Sequence, residues 1–213
     1  MFVIRRCIRK EKAAVEALRR ASYGDANEFS VADPAALDWC SSDDLGVVLG
    51  AWHEEVLVAT MKGQILADPE HAQRAMECEY DDAATSYPAL LLGKGATIKA
   101  KRAHGHNSVI RALFIEAASE LCIKTILGIV FEDAPRTRLL QSLGYELLPT
   151  TKIWYTDLIP KSHTLIARLD QRFFSGAITK LKSNFDSTEY TVCIDVREDL
   201  ANSLKEADRV PLI

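Results

Sequence analysis

The chain has 213 residues, of which 48% are hydrophobic and 26% are charged, and its net charge at pH 7 is -4. This composition is typical of a globular protein and excludes a disordered chain. The net negative charge provides no general attraction to nucleic acid or to an anionic membrane surface, so we expect neither as a partner.

Five cysteines are spread along the chain, at Cys7, Cys40, Cys78, Cys122 and Cys193. Their odd number and the absence of a C-x-x-C pair argue against a disulfide framework and against a zinc site. Charged residues occur too early for a signal peptide, and no apolar run approaches the roughly 18 residues of a membrane span. We therefore expect a cytoplasmic protein without a metal or a membrane anchor.

Alternating and helical hydrophobic periods follow one another in the first part of the chain. They predict a strand over residues 2–8, a helix over 10–22, a short helix after Pro34, a hairpin that turns near His53 and Glu54, and a helix over 69–80.

The second part of the chain continues in the same way, with one long apolar helical face after residue 108. The patterns predict a strand within 87–101, a helix from Ser108 capped by Asn107 or Ser108, a strand over 124–132, a helix capped by Asp133, strands over 151–158 and 163–169, and then a helix, a strand near 189–196 and a helix from about Arg197.

A helix between two neighbouring strands of one sheet makes those strands parallel. The element order therefore predicts an α/β (α+β) fold class, with one mixed sheet and helices layered against it.

A basic loop precedes the long helix, in the segment KRAHGHNSVIRALFIEAASE at residues 101–120. The first amides of a helix lack intrahelical partners and, with the helix dipole, attract negative charge. Gly105 permits a close approach to the backbone, and Lys99, Lys101 and Arg102 add positive charge. This combination predicts a site for a phosphate or a pyrophosphate.

The strand, basic loop and helix resemble the acyl-CoA site of the GNAT N-acyltransferase superfamily. That family has Arg or Gln, two residues, Gly, one residue, then Gly or Ala between its fourth strand and third helix. The matching residues here are Arg102, Ala103, His104, Gly105, His106 and Asn107. Downstream, residues 143–145 (Leu-Gly-Tyr) resemble the L-G-F sequence that follows the family's fourth helix. The resemblance covers residues 2–172, so we expect a GNAT-like domain over 1–172 and a C-terminal extension over 173–213.

The resemblance implies a mostly antiparallel sheet in which the central parallel strands splay apart. It implies that the backbone of Thr97 and Ile98 binds pantetheine and that the amides from Ala103 to Ser108 hold the pyrophosphate. The expected donor is acetyl-CoA or another acyl-CoA, with an acyl carrier protein thioester as an alternative. The expected acceptor is an amine of a small molecule or a protein, which attacks directly in a ternary complex. A homodimer is left open.

Two residues depart from the family pattern. Asn107 replaces the last Gly or Ala of the loop, and Leu140 occupies the position of a tyrosine that in many members protonates the leaving thiolate. The predicted fourth strand also has no carboxylate to act as a general base. These departures favour an alternative function, a catalytically degenerate module that binds an acyl-CoA or a protein.

Glu132, at the end of the predicted strand over 124–132, is the candidate for the general base. We expect Tyr145 to serve core packing.

Overall fold

The computed structural model describes residues 1–25, 29–31, 33–81, 83–154, 158–186 and 189–208. The strands are β1 Phe2–Arg6, β2 Phe29–Val31, β3 Val47–His53, β4 Val56–Leu66, β5 Cys78–Tyr80, β6 Ala89–Thr97, β7 Thr125–Phe131, β8 Glu146–Ile153, β9 Leu158–Pro160, β10 Thr164–Asp170 and β11 Tyr190–Val192. The α-helices are α1 Lys12–Gly24, α2 Ser41–Asp44, α3 Pro69–Met76, α4 His106–Glu120, α5 Pro135–Ser142, α6 Phe174–Lys182 and α7 Ile194–Asp208.

Nine strands form one mixed sheet in the order β11-β1-β3-β4-β6-β7-β10-β8-β5, and β2 pairs with β9 separately. The pairs β6–β7 and β1–β11 are parallel, and the other neighbours are antiparallel. The predicted fold class, a mixed and mostly antiparallel sheet flanked by helices, is confirmed.

The central parallel strands separate part-way along their length, as predicted. Pairing joins residues 89–91 of β6 to residues 125–127 of β7 and goes no further along these two fully described strands. Just beyond, β6 contains a bulge against Met61 of β4, where Lys94 has a positive φ of 49°. Because a bulge bends its strand, it turns β6 away from β7 and leaves a gap in the sheet.

The long helix α4 packs its apolar face against the sheet and occupies the middle of the core. Ile110, Phe114 and Ala118 are fully buried. A Cβ at Gly63 of β4 would lie only 2.4 Å from Phe114 Cε1, so the absence of a side chain there lets the ring rest on the strand. Burial of each large apolar side chain contributes about 1.5–3 kcal/mol.

The segment after residue 172 is part of the same core. Helix α6 packs on α4, strand β11 lies parallel to β1, and α7 packs on β1, β3 and β4. Its apolar residues join the principal hydrophobic cluster, which includes Phe174, Leu181, Tyr190, Leu200 and Leu204.

Two predicted helix caps are wrong. Helix α4 begins at His106 with Gly105 as its N-cap, so Asn107 and Ser108 lie inside the first turn. Helix α5 begins at Pro135 after an Ala134 N-cap, and the Asp133 side chain makes no cap hydrogen bond.

Other boundaries also differ from the prediction, among them the start of the last helix, which is Ile194 rather than about Arg197. Helix α3 ends at Met76 because Glu77 adopts a left-handed φ of 52°. The strand predicted over 151–158 lies earlier, as β8, while residues 155–157 fall outside the described residues. Within the described ranges, no helix is both long and apolar enough to cross a membrane, and no three potential metal ligands cluster together.

Candidate active site

A cavity of about 560 Å³ opens where β6 and β7 separate. Its walls include residues 91–95 of β6 and Gly128 and Ile129 of β7. The first turns of α4 contribute Asn107, Ser108 and Arg111. The gap between the splayed strands is therefore continuous with the start of the helix that follows the basic loop.

The loop before α4 carries a run of unused backbone donors. The amides of residues 103–107 donate no hydrogen bond to any part of the chain that the structure describes, whereas those of Ser108 and Val109 donate to the Gly105 carbonyl. Positive φ angles at Ala103 (65°) and Gly105 (79°) bend the backbone here. Unpaired amides at the positive end of a helix dipole favour a bound anion.

The side chain of Asn107, which departs from the resembled motif, is held by β6. Its Nδ2 donates to Thr97 Oγ1 at 2.8 Å, which turns the side chain toward β6. Its Oδ1 is buried and accepts no hydrogen bond from the described residues. A buried acceptor without a donor is costly, so this cavity wall suits a ligand that carries an N–H group.

Basic side chains of the loop lie against the end of α1. Arg102 Nη2 donates to the Ser22 carbonyl at 3.0 Å, and Lys99 Nζ lies 3.9 Å from Asp25 Oδ2. Both basic residues are exposed and lie beside the loop.

The C-terminal segment covers the back of the loop. A Cβ at Gly105 would lie 2.6 Å from the Asn184 carbonyl oxygen and 2.7 Å from Phe185 Cβ. With its positive φ, this position requires glycine both for its conformation and for its lack of volume.

His106 belongs to the same contact and packs away from the amides. Its ring lies 4.4 Å from the Phe2 ring, its Nδ1 is 2.8 Å from Tyr190 Oη, and Tyr190 Oη donates to the His104 carbonyl at 3.1 Å. Since the tyrosine proton goes to that carbonyl, Nδ1 donates and Nε2 lacks a proton. Burial, followed by the charges of His104, Lys101 and His53, lowers the pKa of His106 to about 4.

Thr97 and Ile98 lie beside the loop, outside the cavity walls. Their amides already donate inside the protein, to Ser22 Oγ and to the Val58 carbonyl. The part of β6 that borders the cavity lies earlier in the strand, at residues 91–95, because the bulge opens the sheet there. The pantetheine contact assigned to Thr97 and Ile98 stays a prediction.

Solved structures share this architecture at low sequence identity. FeeM, an N-acyl amino acid synthase from uncultured soil microbes, is 13% identical with a TM-score of 0.59, over 83% of this chain and 94% of that chain. A protein of Desulfovibrio desulfuricans assigned to the GNAT family of acetyltransferases is 10% identical with a TM-score of 0.57, over 80% and 99%. The chain has the GNAT fold.

A third structure, of yncA from Salmonella typhimurium with its cofactor acetyl-CoA, is 13% identical with a TM-score of 0.53, over 80% of this chain and 94% of that chain. No family model and no curated protein sequence matches the chain.

On the sheet face opposite α4, this GNAT fold carries a buried ion pair. Arg19 of α1 and Asp43 of α2 are 1% exposed and form two hydrogen bonds of 2.7 and 2.9 Å. Lys94 Nζ joins them, 3.0 Å from both Asp43 Oδ2 and Cys40 Sγ. We call these four residues the Arg19–Asp43 cluster; Arg19, Cys40 and Lys94 line the cavity.

The cluster perturbs both of its acidic groups. Burial alone would raise the pKa of Asp43, but Arg19 and Lys94 hold it well below its usual range. Burial also acts to raise the pKa of Cys40, yet hydrogen bonds from Ser42 and Lys94 lower it. Sequence reasoning missed the cluster because an Arg–Arg pair on a helix normally indicates a solvated surface.

Tyr145 combines core packing with a place in the cavity wall. It is 5% exposed, and its Oη accepts a hydrogen bond of 3.2 Å from Arg111 Nη1. Leu140, at the family's tyrosine position, lines the same cavity. The cavity wall therefore contains a tyrosine, Tyr145, although the position at which the resemblance implies a tyrosine is occupied by Leu140.

Glu132 is exposed and lies outside the described cavity walls, with its amide bonded to the His163 carbonyl. Its assignment as the base stays a prediction. Glu77, the residue after α3, is the acidic residue among the described cavity walls.

Proposed function

We propose that the protein is an N-acyltransferase that moves an acetyl or longer acyl group from CoA to an amine. The observation that carries the proposal is the cavity between β6 and β7, which connects the amide-rich start of α4 with the opposite sheet face. The GNAT fold, shared with structures named as acyl- and acetyltransferases, supports this function.

The loop and the cavity fit an acyl-CoA. The free amides of residues 103–107 and the dipole of α4 would hold the diphosphate, with Lys99 and Arg102 beside them. The buried Asn107 Oδ1 would accept an N–H from the pantetheine arm. When bound, the donor supplies an activated acyl thioester. Because the phosphopantetheine arm of an acyl carrier protein carries the same groups, that donor remains the alternative.

The cavity walls would hold the acceptor amine and the acyl group together, in a ternary complex. Holding two reactants in a productive geometry can lower the barrier by about 7–11 kcal/mol in ideal cases. Leu91, Leu92 and Leu140 supply apolar wall area for the acyl group.

Tyr145 is the group that would hold and release a proton in the cavity. Its Oη accepts from Arg111, so its own proton is available to a negatively charged atom. Among the acidic residues, Glu77 at the cavity wall would take a proton from the acceptor amine, and Glu132, which follows β7 outside the described walls, is the candidate that the sequence predicts.

Calorimetric titration with CoA, acetyl-CoA and a long-chain acyl-CoA tests donor binding. The matched variants Asn107→Ala and Asn107→Pro both remove the side chain, but only the proline removes the amide. Asn107→Ala should weaken binding because it removes the Oδ1 acceptor. Proline is tolerated in a first helical turn, so a further several-fold loss of affinity in Asn107→Pro relative to Asn107→Ala would assign that additional loss to the amide.

Turnover is tested by release of free thiol from the same donors with a broad panel of amines. Binding without release of thiol for any amine would overturn the transferase and favour a binding module. Failure of every donor to bind would overturn the site itself.

A further inference from the structure

Lys62 lines the cavity with a side chain that is almost entirely buried. It lies on β4, is 5% exposed, and makes no hydrogen bond or ion pair with any of the described residues. A Cβ at Gly46 would lie 2.9 Å from Lys62 Cε, so the aliphatic part of the side chain is tightly confined. A lysine held this way is rare unless something pairs with its charge.

Asp43 of the neighbouring Arg19–Asp43 cluster attracts this amine through space, but it makes no hydrogen bond or ion pair with it. Asp43 Oδ1 accepts from Arg19, and Asp43 Oδ2 accepts from Arg19, Lys94 and the Cys40 amide. Both carboxylate oxygens are therefore used, while Arg19, Lys62 and Lys94 bring three positive charges. Burial lowers the pKa of Lys62 to about 8, so most molecules still carry its proton at pH 7.

The position of Lys62 assigns it to the acceptor rather than the donor. Gly63, the next residue, faces Phe114 of α4. Because successive side chains of a strand point to opposite faces, Lys62 lies on the face of α1 and α2. The amide-rich loop leads into α4, on the other face, so Lys62 is across the gap from the proposed diphosphate site.

We propose that Lys62, with Lys94 beside it, binds the carboxylate of the acceptor, and that the acceptor is a small amine that also carries a carboxylate, as amino acids do. The inference rests on the proposed acyl transfer and names the substrate class of that same cavity. A carboxylate would provide the acceptor that the buried ammonium lacks, and a charge-assisted hydrogen bond of this kind is among the strong ones. The same contact would fix the orientation of the amine.

The test compares acceptors that differ only in the carboxylate. L-leucine is paired with 3-methylbutylamine and L-phenylalanine with 2-phenylethylamine, with acyl-CoA as donor and thiol release as the readout. We expect kcat/KM to favour the amino acids, and Lys62→Met to lower it by about 10- to 100-fold for the amino acids alone. Lys62→Arg should restore part of the loss. Lys124→Met, which removes an exposed lysine, is the control.

Equal turnover of both acceptor classes, or an equal loss of both in Lys62→Met, would overturn the inference while leaving the transferase intact. If no acceptor is turned over, the proposed acyl transfer is refuted instead. Binding of N-acetyl-L-leucine then tests the carboxylate site independently of turnover. Calorimetry should detect its binding to the wild type and a loss of at least tenfold in Lys62→Met. Equal affinity, or no binding to either protein, would refute the carboxylate site.

Discussion

Replacement of Gly105 by alanine tests the contact between the loop and the C-terminal segment. The new methyl group would meet the Asn184 carbonyl oxygen at 2.6 Å and Phe185 Cβ at 2.7 Å. Neither atom is the flexible end of a long side chain, so the backbone around residues 184 and 185 has to move.

Two costs add together in this variant. A left-handed φ costs a non-glycine residue about 1–2 kcal/mol, and overpacking costs typically 1–3 kcal/mol. The sum is about 2–5 kcal/mol of unfolding free energy. Since 1 kcal/mol shifts the melting temperature of a chain of this size by about 2–4 °C, we expect a decrease of about 10 °C.

Thermal unfolding followed by circular dichroism measures this change. Gly176→Ala is the matched control, because a Cβ there meets nothing within 4 Å and α6 gains about 0.5–1 kcal/mol from the better helix former. Donor affinity should also fall in Gly105→Ala and stay unchanged in Gly176→Ala. A melting temperature within 1–2 °C of the wild type in Gly105→Ala would show that the close contact is not present.

Three further predictions concern the site. Tyr145→Phe removes the proposed proton donor of the cavity and should lower kcat by about 100-fold with little change in donor affinity, measured by thiol release and calorimetry. Because burial lowers the pKa of His106 to about 4 from 6.5, the unfolded chain binds more protons between these values. Stability should therefore fall as the pH drops through this window, by up to about 1.4 kcal/mol per unit in urea titrations. Cys40, whose pKa is lowered beside Lys94, should react with iodoacetamide at pH 7 faster than the exposed Cys122, and Lys94→Met should slow it.

Each of these predictions has its own contradicting result. Unchanged kcat in Tyr145→Phe would remove the phenol from the mechanism. A His106→Gln variant with the same pH dependence as the wild type would assign the titration to other groups. Equal alkylation rates for Cys40 and Cys122 would mean that Lys94 does not activate the thiol.

The local pattern of the sequence was sufficient for the central elements. The apolar face of α4, the hairpin near His53 and the closure at Gly144 each follow from spacing and from single turn residues, and all are present. The splayed strands were expected only from the family resemblance, because strand separation depends on a bulge at Lys94 that its local sequence does not reveal.

Features that depend on residues far apart in the chain were missed. Arg19 and Asp43 are 24 residues apart, and neither position signals that the two become buried together. Lys62 lies in a mostly apolar strand. Its proposed role in binding a carboxylate follows only from the structure, which shows the sheet face on which it lies and the cavity that it lines. The caps predicted at Asn107 and Asp133 were wrong because the N-cap residues are Gly105 and Ala134. The backbone amides that lack intrahelical partners therefore lie at other positions than the prediction assumed.

The support of the loop by Tyr190 has a consequence for how the protein is made. Tyr190 lies 84 residues after His106. A growing polypeptide therefore contains the complete loop before α4 long before it contains the tyrosine that hydrogen-bonds to it. Until β11 has been synthesised, the outer edge of β1 also lacks its neighbour. The proposed donor site is thus completed late in synthesis. In a nascent chain that stalls before residue 190, Tyr190 does not support the loop and β11 does not cover the edge of β1.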